Sequence, residues 1–121
     1  MKRDLDLFRD QLLQIEELDR GDGEDLKLDH KGVKDLVFRE HLRLLKEAGL
    51  IEAFEVPDTE DDSTHYLPTR LTFQGHEYLD AIRDPDIWKT TKSIARTAGG
   101  AGLTFVWEIA KAEVKRRLGL P

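Results

Sequence analysis

Leu5, Phe8, Leu12 and Ile15 recur at the spacing that puts side chains on one helix face, with Leu18 beside them. Asp10, Gln11, Gln14, Glu17 and Asp19 take the other faces, so residues 2–19 are expected to form an amphipathic helix. Arg20-Gly21-Asp22-Gly23-Glu24 ends it in a turn. Asp25-Leu26-Lys27-Leu28-Asp29 alternates, which predicts a short strand. Helical spacing returns over residues 33–48, where Val37, Leu44, Leu45 and Ala48 are apolar and His41 sits among them. Gly49 follows at the point where a helix end wants a left-handed residue, which glycine supplies without a side-chain penalty.

The next pattern is a hairpin. Residues 50–56 and 65–71 read as strands, joined by the polar, acidic stretch 57–63. Thr72 is then placed to cap a helix whose apolar side is Phe73, Leu79 and Ile82, with Tyr78 adjacent. Asp84 and Pro85 start another helix, carrying Ile87, Trp88, Ile94 and Ala95 to about Thr97. Gly99-Gly100-Ala101-Gly102 reads as a break or linker. A last helix spans 103–118, with Phe105, Val106, Ile109, Ala110 and Val114 apolar and a basic end. A two-stranded hairpin is not stable alone and must pack on the helices around it. The expected fold is α+β: a winged-helix-like domain over residues 1–83, with a two-stranded wing, and a helical C-terminal extension over 84–121.

Composition narrows the function. The 121 residues carry a net charge of -6, which argues against a non-specific nucleic-acid coat protein and leaves room for a local basic patch. With no cysteine, disulfides, thiolate nucleophiles and cysteine-bound zinc are excluded. The start of the chain has no apolar signal core, and no run approaches the roughly 18 apolar residues of a membrane span. A cytoplasmic protein without a membrane partner is expected. Arg20-Gly21-Asp22 is accordingly read as a turn rather than an adhesion motif.

Three segments carry a resemblance. They are Met1-Lys2-Arg3-Asp4-Leu5-Asp6-Leu7, then His41-Leu42-x-Leu44-Leu45-x-x-Ala48-Gly49-Leu50-Ile51, then Leu71-Thr72-Phe73-x-Gly75-His76-Glu77-Tyr78-Leu79-Asp80-Ala81-Ile82-Arg83-Asp84. Together with Trp88-Lys89-x-x-Lys92 and Gly99-Gly100, the chain resembles the bacterial and prophage family called domain of unknown function 2513. The resemblance spans essentially the whole chain. It implies a small bacterial or phage protein and supplies no catalytic residues.

Candidate chemistry is sparse. Arg39, Arg43 and Lys46 share one face of the second long helix, with Lys34 at its start and Arg70 on the hairpin. Such a stripe on a recognition helix suits DNA phosphates and base edges. A solvated face pairing Arg39 and Arg43 with Glu40 and Glu47 explains the same residues. Two features weigh against DNA. The wing carries Glu55, Asp58, Glu60, Asp61 and Asp62, which phosphate would repel. The stretch between about Asp29 and Val33 also leaves little room for the positioning helix of a helix-turn-helix.

No metal is expected. His76-Glu77 opens like a zinc-protease motif, but position 80, where the second histidine would stand, is Asp80. His41 and His76 are read as packing residues. No nucleophile-elbow serine or phosphate-cradling loop is present, so neither an enzyme nor a cofactor is expected. The last helix is apolar on more than one side, and Phe105, Trp107 and Ile109 are candidates for a homodimer or partner interface. Two readings stay open: a dimeric DNA-binding regulator, or a protein-interaction adaptor that has lost DNA binding.

Overall fold

A computed structural model describes residues 1–99 and 102–121. Gly100 and Ala101, the middle of the expected break, lie outside the described residues. The fold is α+β and winged-helix-like, with helices α1 (Leu5–Leu18) and α2 (Asp35–Glu47), strands β1 (Ile51–Pro57) and β2 (Thr64–Leu71), and helices α3 (Phe73–Ile82), α4 (Pro85–Thr97) and α5 (Leu103–Arg117). The chain divides into two compact units, Met1–His76 and Glu77–Pro121.

In the first unit, α1 begins at Asp4, whose carboxylate accepts the Leu7 N–H and caps the first turn. Leu7, Phe8, Leu12 and Ile15 are buried. So is Gln11, which periodicity assigns to the polar side; its Nε2 donates to the Phe38 carbonyl of α2 at 3.1 Å. On α2 the buried stripe is Phe38, His41, Leu42 and Leu45. It is rotated from the expected one: Val37 and Leu44 are half-buried and Ala48 is exposed.

His41 joins the two helices. Its Nε2 accepts the Asp4 N–H at 2.8 Å, so the ring proton sits on Nδ1, which donates to the Val37 carbonyl at 2.8 Å. The buried ring also packs on Phe8, with centroids 4.6 Å apart.

The end of α2 is tightly determined. Gly49 has φ +75°; its N–H bonds to the Lys46 carbonyl and the Leu50 N–H to the Leu45 carbonyl. This is the double bond of a Schellman stop. The Thr72 hydroxyl donates to the Gly49 carbonyl at 2.6 Å and accepts the Gly75 N–H at 3.0 Å, so one side chain ties the end of α2 to the start of α3. A Cβ on Gly75 would stand 1.9 Å from the Leu50 carbonyl oxygen, so the crossing requires glycine.

Strands β1 and β2 pair antiparallel, with Ile51 opposite Leu71 and Glu52 opposite Arg70. The register then shifts, putting Ala53 opposite Pro68 and leaving Thr69 as the extra residue of a bulge. The strand expected at 25–29 does not form. Leu26 donates one backbone bond to the Pro68 carbonyl, but Pro68 has no N–H with which to extend a ladder. Gln14 holds the segment instead, bonding both the N–H and the carbonyl of Asp29. Residues 19–34 contain no helix, so α2 takes the recognition-helix position without a separate positioning helix before it.

In the second unit, Asp84 caps α4 by accepting the Asp86 and Ile87 N–H groups, with Pro85 in the first turn. Trp88, Thr91 and Ala95 of α4 are buried, as are Val106, Ala110 and Glu113 of α5. Helices α4 and α5 pack against each other. Glu113 accepts from Arg116 and Arg117, and Arg117 reaches Asp86 and Thr90 across to α4. Tyr78 is buried, and its hydroxyl donates to the Leu103 carbonyl at 3.0 Å.

Three further residues expected on buried faces are not there. Phe73 is 76% exposed, since it lies about 200° round the helix from Gly75. Ile94 is exposed beside the buried Ala95. His76 is exposed rather than packed.

Candidate functional site

The basic residues singled out for DNA are positioned by α2 and by the bulged hairpin that packs against it. Their surroundings are acidic. Arg43 donates to Glu40 through Nε and Nη2, at 3.0 and 2.7 Å, and to Glu47 through Nη1. These bonds raise the Arg43 pKa and hold the Glu40 carboxyl below its usual range. Arg39 is only 14% exposed, and its Nη1 donates to the Ser63 hydroxyl at the base of the wing loop. Its Nε lies 3.1 Å from the Asp35 carboxylate, within ion-pair range but without hydrogen-bond alignment.

Lys46 reaches across to Glu55 of β1 at 3.2 Å. Arg70 grips Glu52 on the opposite strand through two bonds of 2.9 Å, the bidentate geometry a guanidinium favours. Lys34 is exposed at the N-terminus of α2. Helix α2 is therefore electrically balanced, with Asp35, Glu40 and Glu47 against Arg39, Arg43 and Lys46. Residues 51–71 hold six carboxylates and one arginine, a net charge of -5 with His65 neutral.

The wing loop is built on its own acids. Asp58 accepts the Glu60 N–H and bonds His65 Nε2 at 3.0 Å, which lowers the Asp58 pKa. Asp61 accepts the N–H and hydroxyl of Ser63 and is likewise lowered. Asp62 takes the left-handed conformation at φ +58°. These carboxylates stay ionised and shape the turn, leaving a negative tip.

Sequence spacing placed Arg39, Arg43 and Lys46 on one face. It missed their partners on other elements: Ser63 for Arg39 and Glu55 for Lys46. It also missed Glu52 as the partner of Arg70, which only the strand register sets directly opposite it.

On α5 the proposed interface residues separate. Phe105 is 44% exposed and shares a flank with half-buried Ile109. Trp107 lies about 160° round the helix from Phe105, its ring 5.5 Å from that of Tyr78 and beneath Lys111. The three do not form one patch.

Among the described residues, no group of three or more His, Asp or Glu could hold a metal, and no helix is long and apolar enough to cross a membrane. The residues behind the family resemblance sit mainly at joints: Asp4 with His41, Gly49 with Thr72 and Gly75, Tyr78 with Leu103.

Comparison with known proteins agrees with that resemblance. An uncharacterised protein of Haemophilus influenzae is 35% identical over 119 residues, covering 98% of this chain and 99% of its own length. No solved structure matches the chain. The family described as hypothetical protein (DUF2513) matches residues 2–101, and the chain belongs to that family.

Proposed function

We propose that the protein is a non-enzymatic protein-interaction module that uses the winged-helix frame without DNA, and that its acidic wing meets a basic protein surface. One observation carries this reading: Arg39, Arg43, Lys46 and Arg70 each face a carboxylate of the same unit, while the wing projects a net negative charge. Phosphate affinity comes from releasing counterions around uncompensated positive charge. Here those cations are already neutralised, and the tip would be repelled. Exposed Phe54 and Val56 lie on one face of β1 and add an apolar element beside the acids.

A DNA-binding regulator is the second reading, supported by the exposure of most of these pairs. Such pairs contribute about 0–1 kcal/mol and can exchange partners. Fluorescence anisotropy with pooled genomic fragments at low salt decides between the two. No retention of DNA, with Arg43→Glu behaving like the native chain, is expected. The interaction reading also requires that a basic protein captured by native protein be lost when Asp58→Asn, Glu60→Gln, Asp61→Asn and Asp62→Asn are combined. DNA retention abolished by Arg43→Glu would reverse the choice.

A further inference from the structure

The second unit contains a groove of about 450 Å³ between α3 and α5. Trp107 and Val114 form its apolar floor with Ala81. Glu77 and Asp80 of α3 line one wall, and Lys111 and Lys115 of α5 line the other. Lys111 Nζ stands 4.5 Å from the centre of the Trp107 ring. One helical turn beyond Val114, Leu118 is 68% exposed and extends the apolar strip. The acids are three residues apart and the lysines four, so each pair spans about 4.5–6 Å along its helix.

We propose that this groove docks a second copy of the chain about a two-fold axis. The acidic wall of each protomer then meets the lysine wall of its partner, and the two Trp107 strips are buried between them. The charge pattern selects this occupant. A two-fold interface must be self-complementary, since every contact occurs twice with the roles exchanged. A groove with one negative and one positive wall meets that condition, whereas a wholly basic or acidic partner would be repelled by one wall. The rings and aliphatic floor supply the burial, and the walls set the orientation. Asp80 now pairs with Arg83 at 3.0 Å and Lys111 with Glu108 at 2.7 Å. Both are exposed pairs within one helix, readily exchanged for a partner across an interface. The proposal concerns residues 77–121 and is independent of the wing.

Sedimentation of the full chain tests it. Native protein at about 100 µM and low salt is expected to be dimeric, and to shift toward monomer as salt screens the walls. Lys111→Glu with Lys115→Glu makes both walls acidic, and Glu77→Lys with Asp80→Lys makes both basic. Each double variant should be monomeric, with unchanged circular dichroism, and an equimolar mixture of the two should dimerise again. That restoration separates interface charge from misfolding. A monomeric native chain, leaving the groove to another occupant, overturns the proposal. So does a mixture that stays monomeric, or a dimer lost on Phe105→Ser but kept in both charge variants.

Discussion

Helices α2 and α5 are alike in outline, since each buries one stripe and carries several basic residues. They differ in where those residues find partners. Helix α2 fills its buried stripe with Phe38, His41, Leu42 and Leu45, and its cations meet carboxylates or a hydroxyl inside the first unit. Helix α5 buries the smaller Val106 and Ala110 with Glu113, and leaves Trp107 only half-covered beside Lys111 and Lys115. A basic stripe is a binding surface only where the fold has not already neutralised it. By charge the two helices are alike, since on α5 Lys111 pairs with Glu108 and Arg116 and Arg117 pair with Glu113; it is the half-covered Trp107 that leaves the C-terminal helix the more open.

The largest effect should come from the joint that fixes the end of α2. Gly75→Ala forces a Cβ against the Leu50 carbonyl, which can be relieved only by moving backbone. It should cost at least about 3 kcal/mol in denaturant unfolding. A near-native midpoint would show that the crossing of α3 over Leu50 is looser than described.

His41→Leu comes next. It keeps the apolar volume but leaves the Asp4 N–H without its acceptor and removes the side-chain donor to the Val37 carbonyl. A loss of about 1–3 kcal/mol is expected, with increased amide exchange at the start of α1. Exchange unchanged at α1 would remove the histidine from its bridging role.

Helix α5 is tested by acid. Arg116 and Arg117 hold the Glu113 carboxyl at about 2, against an ordinary value of 4.5. Its stabilisation is complete above the unfolded value and is lost as pH falls through the folded one. Thermal midpoints between about pH 4.5 and 2 should fall less steeply in Glu113→Gln than in the native chain. Parallel curves would assign no role to the Glu113–Arg117 link in holding α5 to α4.

The smallest effect is expected at Arg43→Ala. Its bonds to Glu40 and Glu47 lie along one helix and are partly exposed, so stability should change by less than about 0.5 kcal/mol. A loss above about 1 kcal/mol would mean that the α2 charge ladder is structural rather than merely neutralising.

Much of the frame was legible in the chain. Helical spacing located the five helices among the described residues, the Gly49 stop and the Asp84 and Thr72 caps were readable from residue type, and the strand-like runs on either side of an acidic loop gave the hairpin. These signals are local: a cap, a stop or a period is decided within one or two turns of backbone. The alternation at 25–29 misled, because a strand needs a neighbour able to exchange bonds with it, and Pro68 cannot.

The sequence by itself determined the helices and the hairpin, their order, the acidity of the wing and the spacing of the basic stripe. Tertiary structure alone decided which apolar residues were covered. Phe73 and Ile94 remained exposed, while Gln11 went inside, its amide nitrogen bonded to the Phe38 carbonyl. It also decided which charges were met, bringing Ser63 to Arg39 and Glu55 to Lys46 from positions with no periodic relation to α2. Periodicity assigns a residue to a face of its own element. What that face touches depends on the other elements packed against it, and so does whether its charge is left to act on anything else.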